Sequence, residues 1–355
     1  MKGIILHGGH GTRLRPLTHT GPKQLLPIAN KPMSEYCLKS IIETGITEIA
    51  IIIGGVGSDK VKEYYGTGER FGVKISYIEQ DEPKGIAHAI RLCKDFICNE
   101  KFLVFLGDNI IQKSIVEFTE RFEKSNFDST VLLCEVDNPS RFGIAEVKNE
   151  KIIKIIEKPK NSPSNFAVTG IYLLTPKIFD VIDNLKPSWR NELEITDALD
   201  ILLNQNNNIS FEIITDYWKD TGTPQDIIHA NGEIIKNIPE YFYGTKSSNS
   251  KISGKVLCGK NSVIEENVTI QGPVIIGENC KINSGVIIGP NTSIGNNSVI
   301  NQGNIENSII MENCEIDSIA KIRDSIISNN SKIIQSEKST DEKIFLLGEG
   351  TKIYL

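Results

Sequence analysis

The most regular feature of the hydrophobic pattern is an isoleucine at every sixth position in the last third of the chain. This spacing matches neither one face of an α-helix nor the alternation of an ordinary strand, whereas hexapeptide repeats are typical of a parallel β-helix. One large apolar residue on each flat side would fill the interior, and small or β-branched residues would turn the corners. The isoleucines are Ile264, Ile270, Ile276, Ile282, Ile288, Ile294 and Ile300, and the corner residues are Ser262, Val268, Val274, Cys280, Val286, Thr292 and Ser298.

The six-residue register is interrupted once and then continues. Between Ile300 and Ile310 the register slips, and four extra residues predict a surface loop; Ile316 and Ile322 then follow at the regular spacing. The final segment, Lys343–Leu355, is apolar enough to cap the open end of the coil. We expect a left-handed β-helix because the repeats resemble those of hexapeptide proteins, although parallel crossovers are usually right-handed.

The chain before the repeats alternates short β-branched runs with amphipathic stretches. This alternation is typical of a Rossmann-like α/β fold, in which a mostly parallel sheet is covered by helices on both faces. Ligands bind at the carboxyl ends of such strands, so candidate chemistry is expected just after each run. The predicted strands are Gly3–Leu6, Ile49–Ile53, Lys74–Ile78, Phe102–Phe105 and Thr130–Glu135, and the predicted helices are Met33–Thr44, Ser58–Tyr65, Gly85–Phe96 and Ser114–Ser125.

Length and the change of pattern indicate two domains, because 355 residues exceed what one compact core usually holds. We expect an α/β domain at residues 1–237, a polar linker at 238–250 and the β-helix at 251–355. The linker is placed there because YGTKSSN, Tyr243–Asn249, is polar and lies just before the repeats.

Composition excludes several classes of protein. Lys and Arg number 39 against 45 Asp and Glu, which gives a net charge of −6 and no general attraction to nucleic acid or anionic membranes. The chain has no run of 18 apolar residues and no signal-like N-terminus. The seven cysteines are scattered and form no CxxC pair, which predicts free thiols and a cytoplasmic location.

A glycine-rich loop follows the first predicted strand, with the sequence HGGHGTRLRPLT at residues 7–18. Its glycines allow the backbone to approach an anion closely, and Thr12 and Arg13 add donors for phosphate oxygens. The Walker A spacing is absent, and Leu14 replaces the third glycine of a dinucleotide fingerprint. By itself the loop indicates either a phosphate site or a glycine-rich surface turn.

The motifs that follow resemble those of the sugar-phosphate nucleotidylyltransferase family. They are GGHGTRLRPLT, GPKQLLPIANKP, EQDEPKGIAHAI, FLGDN, RFGIAEV, EKPK, VTGIY, NELEITDA and WKDTGTP, in the family's order over residues 1 to 230. With the repeats, the chain most resembles the long-form glucose-1-phosphate thymidylyltransferases. These enzymes join a nucleoside triphosphate to a sugar 1-phosphate and release pyrophosphate.

The resemblance implies a role for particular residues. Asp108 and Asp220 would hold Mg²⁺, and these two with Arg13, Lys23 and Lys158 would form the catalytic set. Nucleotide binding is expected from Leu6, Gly8, Gly9, Gly11, Thr12, Arg13, Lys23, Gln80 and Gly85. Sugar-phosphate binding is expected from Phe142, Gly143, Glu157, Lys158, Val168, Gly170 and Arg190. The expected substrates are dTTP, or UTP, and glucose 1-phosphate.

Several alternatives stay open at this stage. The base-contacting residues suit either pyrimidine, and related subunits bind nucleotide sugars without turnover. His7 stands where the family usually has a small residue, but with His10 it lacks a third ligand for a metal site. His229 is the last histidine of the chain and precedes the repeats. The absence of a histidine from the repeats argues against acetyl transfer by a histidine base. A scaffold that forms a homo-oligomer, or an effector site, is therefore expected for the β-helix.

Overall fold

The computed structural model describes residues 1–9 and 11–335, so the expectations for His10 and for a cap at Lys343–Leu355 lie outside the described residues. Contacts divide the chain into two compact units, and each is described here by itself. The first comprises Met1–Thr12, Thr18–Leu25 and Met33–Asp220, and the second comprises Arg13–Leu17, Leu26–Pro32 and the chain from Thr221 onward. Among the described residues, no helix is long and apolar enough to cross a membrane.

The described chain up to Asn237 alternates strands and helices as the pattern predicts. The strands are β1 (Lys2–Leu6), β2 (Pro27–Ile28), β3 (Lys31–Pro32), β4 (Glu48–Ile53), β5 (Lys74–Glu79), β6 (Phe102–Leu106), β7 (Asn109–Ile111), β8 (Ser129–Glu135), β9 (Gly143–Lys148), β10 (Lys151–Glu157), β11 (Phe166–Leu174), β12 (Ile209–Ile214) and β13 (Trp218–Asp220). The helices are α1 (Met33–Glu43), α2 (Ser58–Tyr65), α3 (Ile86–Leu92), α4 (Lys94–Ile97), α5 (Val116–Lys124), α6 (Lys177–Asp183), α7 (Ile195–Asn204) and α8 (Pro224–Asn237).

The first unit is built on a nine-stranded sheet. Strands β5, β4, β1 and β6 lie side by side and are parallel, and β11 continues the sheet antiparallel to β6. Apolar clusters pack on both faces, which explains why these strands read as continuous hydrophobic runs. The Rossmann-like α/β prediction is confirmed. One predicted helix, Gly85–Phe96, is wrong in detail, because the chain breaks at Cys93 into α3 and α4.

The carboxyl ends of β1, β4, β5 and β6 meet at one edge of the sheet, and backbone hydrogen bonds extend the ladders there. The His7 N–H donates to the Ile52 carbonyl at 2.9 Å, and the Gly107 N–H donates to the Leu6 carbonyl at 2.9 Å. The Gln80 N–H donates to the Ile53 carbonyl at 2.8 Å. The glycine loop, Gln80 and the segment after β6 are therefore neighbours at this edge.

The second unit contains a parallel β-helix of three ladders. Its strands are β14 (Thr245–Lys246), β15 (Lys251–Ser253), β16 (Val256–Cys258), β17 (Val263–Ile264), β18 (Thr269–Gln271), β19 (Val274–Ile276), β20 (Lys281–Ile282), β21 (Ile287–Ile288), β22 (Thr292–Ile294), β23 (Val299–Glu306), β24 (Ile309–Ile310), β25 (Glu315–Arg323), β26 (Ile326–Ile327) and β27 (Lys332–Ile334). Ile264 pairs with Ile282, and Ile276 pairs with Ile294, so one coil takes three six-residue steps.

The predicted inward positions are buried throughout the regular coils. All seven isoleucines and all seven corner residues of the pattern are at most 1 % exposed, as a filled prism requires. The corners also carry asparagines in the left-handed backbone region, whose amides bond from coil to coil: Asn261 donates to Asn279 at 3.1 Å, and Asn279 donates to Asn297 at 3.2 Å. The parallel β-helix is confirmed, whereas its left hand stays a prediction.

Two expectations about the second unit need correction. Between Ile300 and Ile310 the structure has strand β23 in place of a surface loop, and Ile305 fills the interior. The coil is shorter there, since Ile288 pairs with Ile305 and Ile305 pairs with Ile322. The neighbouring coils supply backbone partners for the polar residues of this strand. The predicted linker at 238–250 contains β14, which pairs with β17. A polar stretch can join this coil because only one side of each strand faces the interior.

Helix α8 belongs to the second unit and contacts the β-helix there. The Asn231 Nδ2 donates to the Asn291 carbonyl at 3.0 Å. Gly232 lies so close to Asn291 that an added Cβ would be 2.9 Å from its Cγ. The outer-row residues Leu257 and Ile275 are accordingly buried, at 0 % and 4 % exposure.

We expect Gly232→Ala to destabilise the chain by about 1–2 kcal/mol, because the added methyl overpacks this contact. Alanine is otherwise more favourable than glycine inside a helix by about 1 kcal/mol. A net loss of stability can therefore be attributed to the close contact between position 232 and Asn291. Asn291 has φ 60°, which glycine adopts readily, so adding Asn291→Gly should restore stability. Chemical denaturation of both variants checks this; a stable Gly232→Ala chain would contradict the packing.

Candidate active site

One group of predicted nucleotide residues lies at the carboxyl ends of β1 and β5. An added Cβ on Gly8 would be 3.3 Å from Gln80 Oε1, so loop and amide are in contact. The Gln80 Nε2 is 3.4 Å from the Gly85 carbonyl and 3.1 Å from His88 Nδ1. Gln80 therefore presents an amide beside two glycines, an arrangement that suits the edge of a base.

Gly85 is required by its backbone and by its surroundings. It has φ 101°, and an added Cβ would lie 2.5 Å from the Leu193 carbonyl. The Leu193 N–H donates to the Lys84 carbonyl at 2.7 Å, and its carbonyl accepts from the Ala87 N–H at 3.0 Å. A side chain at Gly85 would break this contact between the start of α3 and the loop before α7.

The glycine loop has the conformational freedom that the sequence indicated. Gly9 and Gly11 both have positive φ, at 95° and 58°. The Thr18 Oγ1 donates to the Gly11 carbonyl at 2.8 Å and closes the loop, while the exposed Thr12 begins a short 3-10 helix. Arg13 belongs to the second compact unit, so it is not grouped with these residues.

The two predicted metal-binding residues, Asp108 and Asp220, belong to backbone segments that a short antiparallel pairing makes neighbours. Asp108 follows β6, and the next residue, Asn109, is the register partner of Asp220 in the β7–β13 pair. The Asn109 Nδ2 donates to Asp108 Oδ1 at 3.1 Å, and its Oδ1 accepts from the Trp218 Nε1 at 2.9 Å. Asn109 therefore fixes Asp108 and is itself held by Trp218.

Lys23 forms an ion pair with Asp108. The Lys23 Nζ contacts Oδ2, and the two side chains are only 18 % and 14 % exposed. Burial raises the pKa of the Asp108 carboxyl, but the Lys23 ammonium outweighs it and holds the pKa below its ordinary value. The structure thus joins one predicted triphosphate ligand to one predicted metal ligand.

The predicted sugar-phosphate residues gather around Glu157, at the end of β10. The Lys158 Nζ is 3.0 Å from Glu157 Oε1, and the Thr196 Oγ1 donates to Oε2 at 3.0 Å. Gly143 is the register partner of Glu157, and an added Cβ there would be 2.5 Å from the Thr196 methyl. Arg190 Nη1 is also 3.5 Å from Glu157 Oε1.

Arg190 is surrounded by carboxylates in this cluster. Its Nη2 contacts Glu192 Oε2 and lies 3.3 Å from Glu194 Oε2. Its Nε is 3.0 Å from Glu194 Oε1, although that N–H does not point at the oxygen. Burial raises the pKa of Glu194 above its ordinary value. A phosphate bound at Arg190 would therefore compete with side chains that already neutralise it.

Phe142, Val168 and Gly170 connect the sugar side to the carboxylate pair. The Phe142 and Trp218 rings are 5.3 Å apart. Gly170 has φ 78°, and an added Cβ would be 3.2 Å from Asn109 Nδ2. Val168 is buried at 7 % exposure in the same strand, β11. Through Trp218 and Asn109, the first unit brings the predicted sugar residues next to the predicted metal ligands.

His7 is fully buried below the glycine loop, at 1 % exposure. Neither ring nitrogen has a hydrogen-bond partner among the described residues. Its ring lies edge-on to Tyr65, with centroids 5.9 Å apart. Burial lowers the pKa of His7 from 6.5 to about 3, against the opposing effect of Asp108, so the ring is neutral near pH 7 and is no phosphate ligand.

Sequence reasoning missed several polar residues that organise the site. Asn109 positions Asp108, while Thr196, Glu192 and Glu194 hold Glu157 and Arg190. The signal was present, since Asn109 stands within GDN and the other three within NELEIT. Their partners, however, lie on other elements, so adjacency in the motif did not reveal the contacts.

Comparisons with known proteins show the family of this chain. Residues 2–237 match the family Nucleotidyl transferase, and residues 270–354 match the GMPPB C-terminal domain. The chain is 40 % identical to the low-salt glycan biosynthesis nucleotidyltransferase Agl11 of Haloferax volcanii, over 100 % of both chains. It is 36 % identical to a glucose-1-phosphate thymidylyltransferase of Streptomyces antibioticus, over 99 % of both.

A solved structure extends the likeness to the fold. A Bacillus anthracis protein assigned to the glucose-1-phosphate thymidylyltransferases, crystallised with sucrose, is 42 % identical with a TM-score of 0.64. The match covers 68 % of this chain and 98 % of that one. Family, relatives and fold agree with the motifs quoted above. The chain belongs to the nucleotidyl transferase family and is a sugar-phosphate nucleotidyltransferase.

Proposed function

We propose that this enzyme is a glucose-1-phosphate thymidylyltransferase, which makes dTDP-glucose and pyrophosphate from dTTP and glucose 1-phosphate. The observation that carries the proposal is the position of Asp108 in the first unit. It follows the β6 end that borders the glycine loop, and Asn109 and Trp218 link it to Phe142 on the sugar side. A charged centre between a base site and a sugar site suits transfer between two phosphates.

Asp108 and Asp220 fit a magnesium ion. Magnesium is usually bound through one or two carboxylates together with phosphate oxygens. Two carboxylates would leave the other coordination positions of such an ion to water and to phosphate oxygens of the substrates. When bound, the ion would stabilise negative charge that develops at the α-phosphate.

The residues of this chain would mainly position two anions. Lys23 would contact the α-phosphate, and Arg13 would clamp oxygens of the triphosphate. Gln80 and Gly85 would meet the base, while Lys158 would hold the sugar phosphate and Glu157 the sugar hydroxyls. An oxygen of the sugar phosphate then attacks the α-phosphorus in line, and the bond to the β-phosphate oxygen breaks. No general base is required, because the attacking oxygen is already anionic.

Lys158→Ala should raise the KM for glucose 1-phosphate by about 10- to 100-fold, because a charge-assisted hydrogen bond contributes about 1.5–3 kcal/mol. The KM for dTTP should change little. Gln80→Ala is the matched control, and it should raise the KM for dTTP and spare the sugar phosphate. Steady-state kinetics with each substrate varied in turn would measure both effects. The opposite pattern would mean that the two halves of the site are exchanged.

The β-helix would serve assembly in this proposal, through side-by-side association into a homo-oligomer. Its outer rows keep some exposed apolar residues, among them Val263 at 37 % and Ile287 at 44 % exposure. Sedimentation of the full chain and of a Val263→Lys, Ile287→Lys variant tests this. A larger species with the parent chain and a smaller one with the variant is expected, and identical sizes would count against this face.

The reaction itself is tested by ³¹P NMR of the purified chain with dTTP, glucose 1-phosphate and magnesium. One pyrophosphate per dTDP-glucose is expected, with no turnover when either substrate is omitted. A chain that binds dTDP-glucose but releases no pyrophosphate, with any of several sugar 1-phosphates, would instead be a regulatory relative.

A further inference from the structure

Lys23 and Asp108 form a largely buried ion pair, although the two residues have separate predicted tasks. Lys23 is expected to bind the triphosphate, and Asp108 is expected to bind the metal. The Lys23 ammonium contacts Asp108 Oδ2, and Asn109 Nδ2 donates to the other oxygen, Oδ1, at 3.1 Å. Both oxygens of the carboxylate are therefore engaged. A cation that binds Asp108 must take over part of this arrangement.

Electrostatic repulsion allows only one cation at a time to contact Asp108 Oδ2. Asp108 is only 14 % exposed, and a buried carboxylate without a counter-charge is strongly unfavourable. A lysine ammonium or a metal ion can supply that charge. Both at once on Oδ2 would place two cations in contact where water screens them poorly.

We infer that Lys23 is the resident cation of Asp108, and that it exchanges with the metal when the nucleotide arrives. In the exchange, the metal–triphosphate gives Asp108 its new counter-charge and gives Lys23 a phosphate to pair with. The metal without nucleotide brings no phosphate to draw Lys23 away from Asp108, so it competes with the ammonium for the carboxylate and binds weakly. The inference rests on the proposed function for the identity of the triphosphate.

The pair thus assigns Lys23 a positioning task before catalysis. It keeps Asp108 oriented and supplied with a counter-charge, and it couples metal binding to the presence of nucleotide. Lys158 is a matched lysine for comparison, because it pairs with Glu157 at 3.0 Å rather than with Asp108. A general effect of removing positive charge would appear with either lysine, whereas exchange at Asp108 is specific to Lys23.

The test is the affinity for Mn²⁺ alone, measured by electron paramagnetic resonance of the free ion without nucleotide. Lys23→Met should bind Mn²⁺ at least about 10-fold more tightly than the parent, because the competing ammonium is gone. Lys158→Met should match the parent, and Lys23→Arg should stay weak because the cation is kept. Unchanged or weaker Mn²⁺ binding by a folded Lys23→Met chain would overturn the exchange.

Two further measurements keep the outcome decisive. Circular dichroism establishes that each variant is folded; if Lys23→Met is not, Lys23→Gln replaces it with the same expectation. Asp108→Asn combined with Lys23→Met should abolish the gain in Mn²⁺ affinity, and a gain that persists would place the ion elsewhere and overturn the inference. These experiments use no substrate, so a failed exchange and a failed thymidylyltransferase assay are separate results.

Discussion

Asp108→Asn and Asp220→Asn should each lower the turnover number by about 10³-fold or more, because each removes a charged ligand from the proposed magnesium site. The replacement keeps the shape of the side chain and removes only its charge. Asp108 immediately precedes Asn109, the register partner of Asp220 in the β7–β13 pair, so both changes affect the same part of the first unit. Initial rates at saturating dTTP and glucose 1-phosphate measure the loss.

Asp183→Asn is the control for these two variants. Asp183 pairs with Arg91 and Lys94 through contacts of 3.0 and 2.8 Å and takes no part in the proposed site, so its turnover should equal that of the parent. Thermal melts must show that all three variants are folded. Rates near the parent level for both Asp108→Asn and Asp220→Asn would remove the metal assignment.

The second large effect is a loss of stability at low pH that comes from His7. Its pKa is about 3 in the folded chain, whereas an unfolded histidine has its ordinary value of about 6.5. Between these values the unfolded state binds the extra proton, so acid favours unfolding. From pH 7 to pH 5 this one residue should cost about 2 kcal/mol of unfolding free energy.

Chemical denaturation at pH 7, 6 and 5 measures the slope. His7→Ala should have a flatter dependence than the parent whatever its absolute stability, because the proton-binding difference is gone. His7→Gln, which also cannot take up a proton, should show the same flatter dependence as His7→Ala. Equal slopes for His7→Ala and the parent would mean that His7 is charged, or paired, in the fold.

The elements of the fold were accessible from the sequence because their signals are local. The β-branched runs of β1, β4 and β6 need burial on both faces, and only a helix-covered sheet provides it. The isoleucine period needs a coil with three sides. The prediction of a loop near Ile305 was wrong because the local sequence of Gln302, Gly303 and Asn304 is typical of a loop. In the structure these residues belong to a strand that pairs with neighbouring coils, which a local pattern does not reveal.

The contacts of the site were not accessible from the sequence, since they join distant segments. Nothing in PKQ or GDN indicates that Lys23 and Asp108 pair, or that Trp218 reaches Asn109. Helix α8 belongs to the second unit and meets a distant segment there, through Asn231 and Gly232 against Asn291. Motifs therefore predicted which residues carry chemistry, whereas the structure was needed to show which of them hold one another.

The central claim is tested most directly by a competition between dTTP and UTP at equal, low concentration, with glucose 1-phosphate and magnesium. Chromatography of the nucleotide sugars after brief reaction gives the ratio of the two products. The account predicts mainly dTDP-glucose. A mixture dominated by UDP-glucose would contradict the thymidylyltransferase assignment but would leave the proposed nucleotidyl transfer in place. If neither product formed, both the assignment and the proposed reaction would be contradicted.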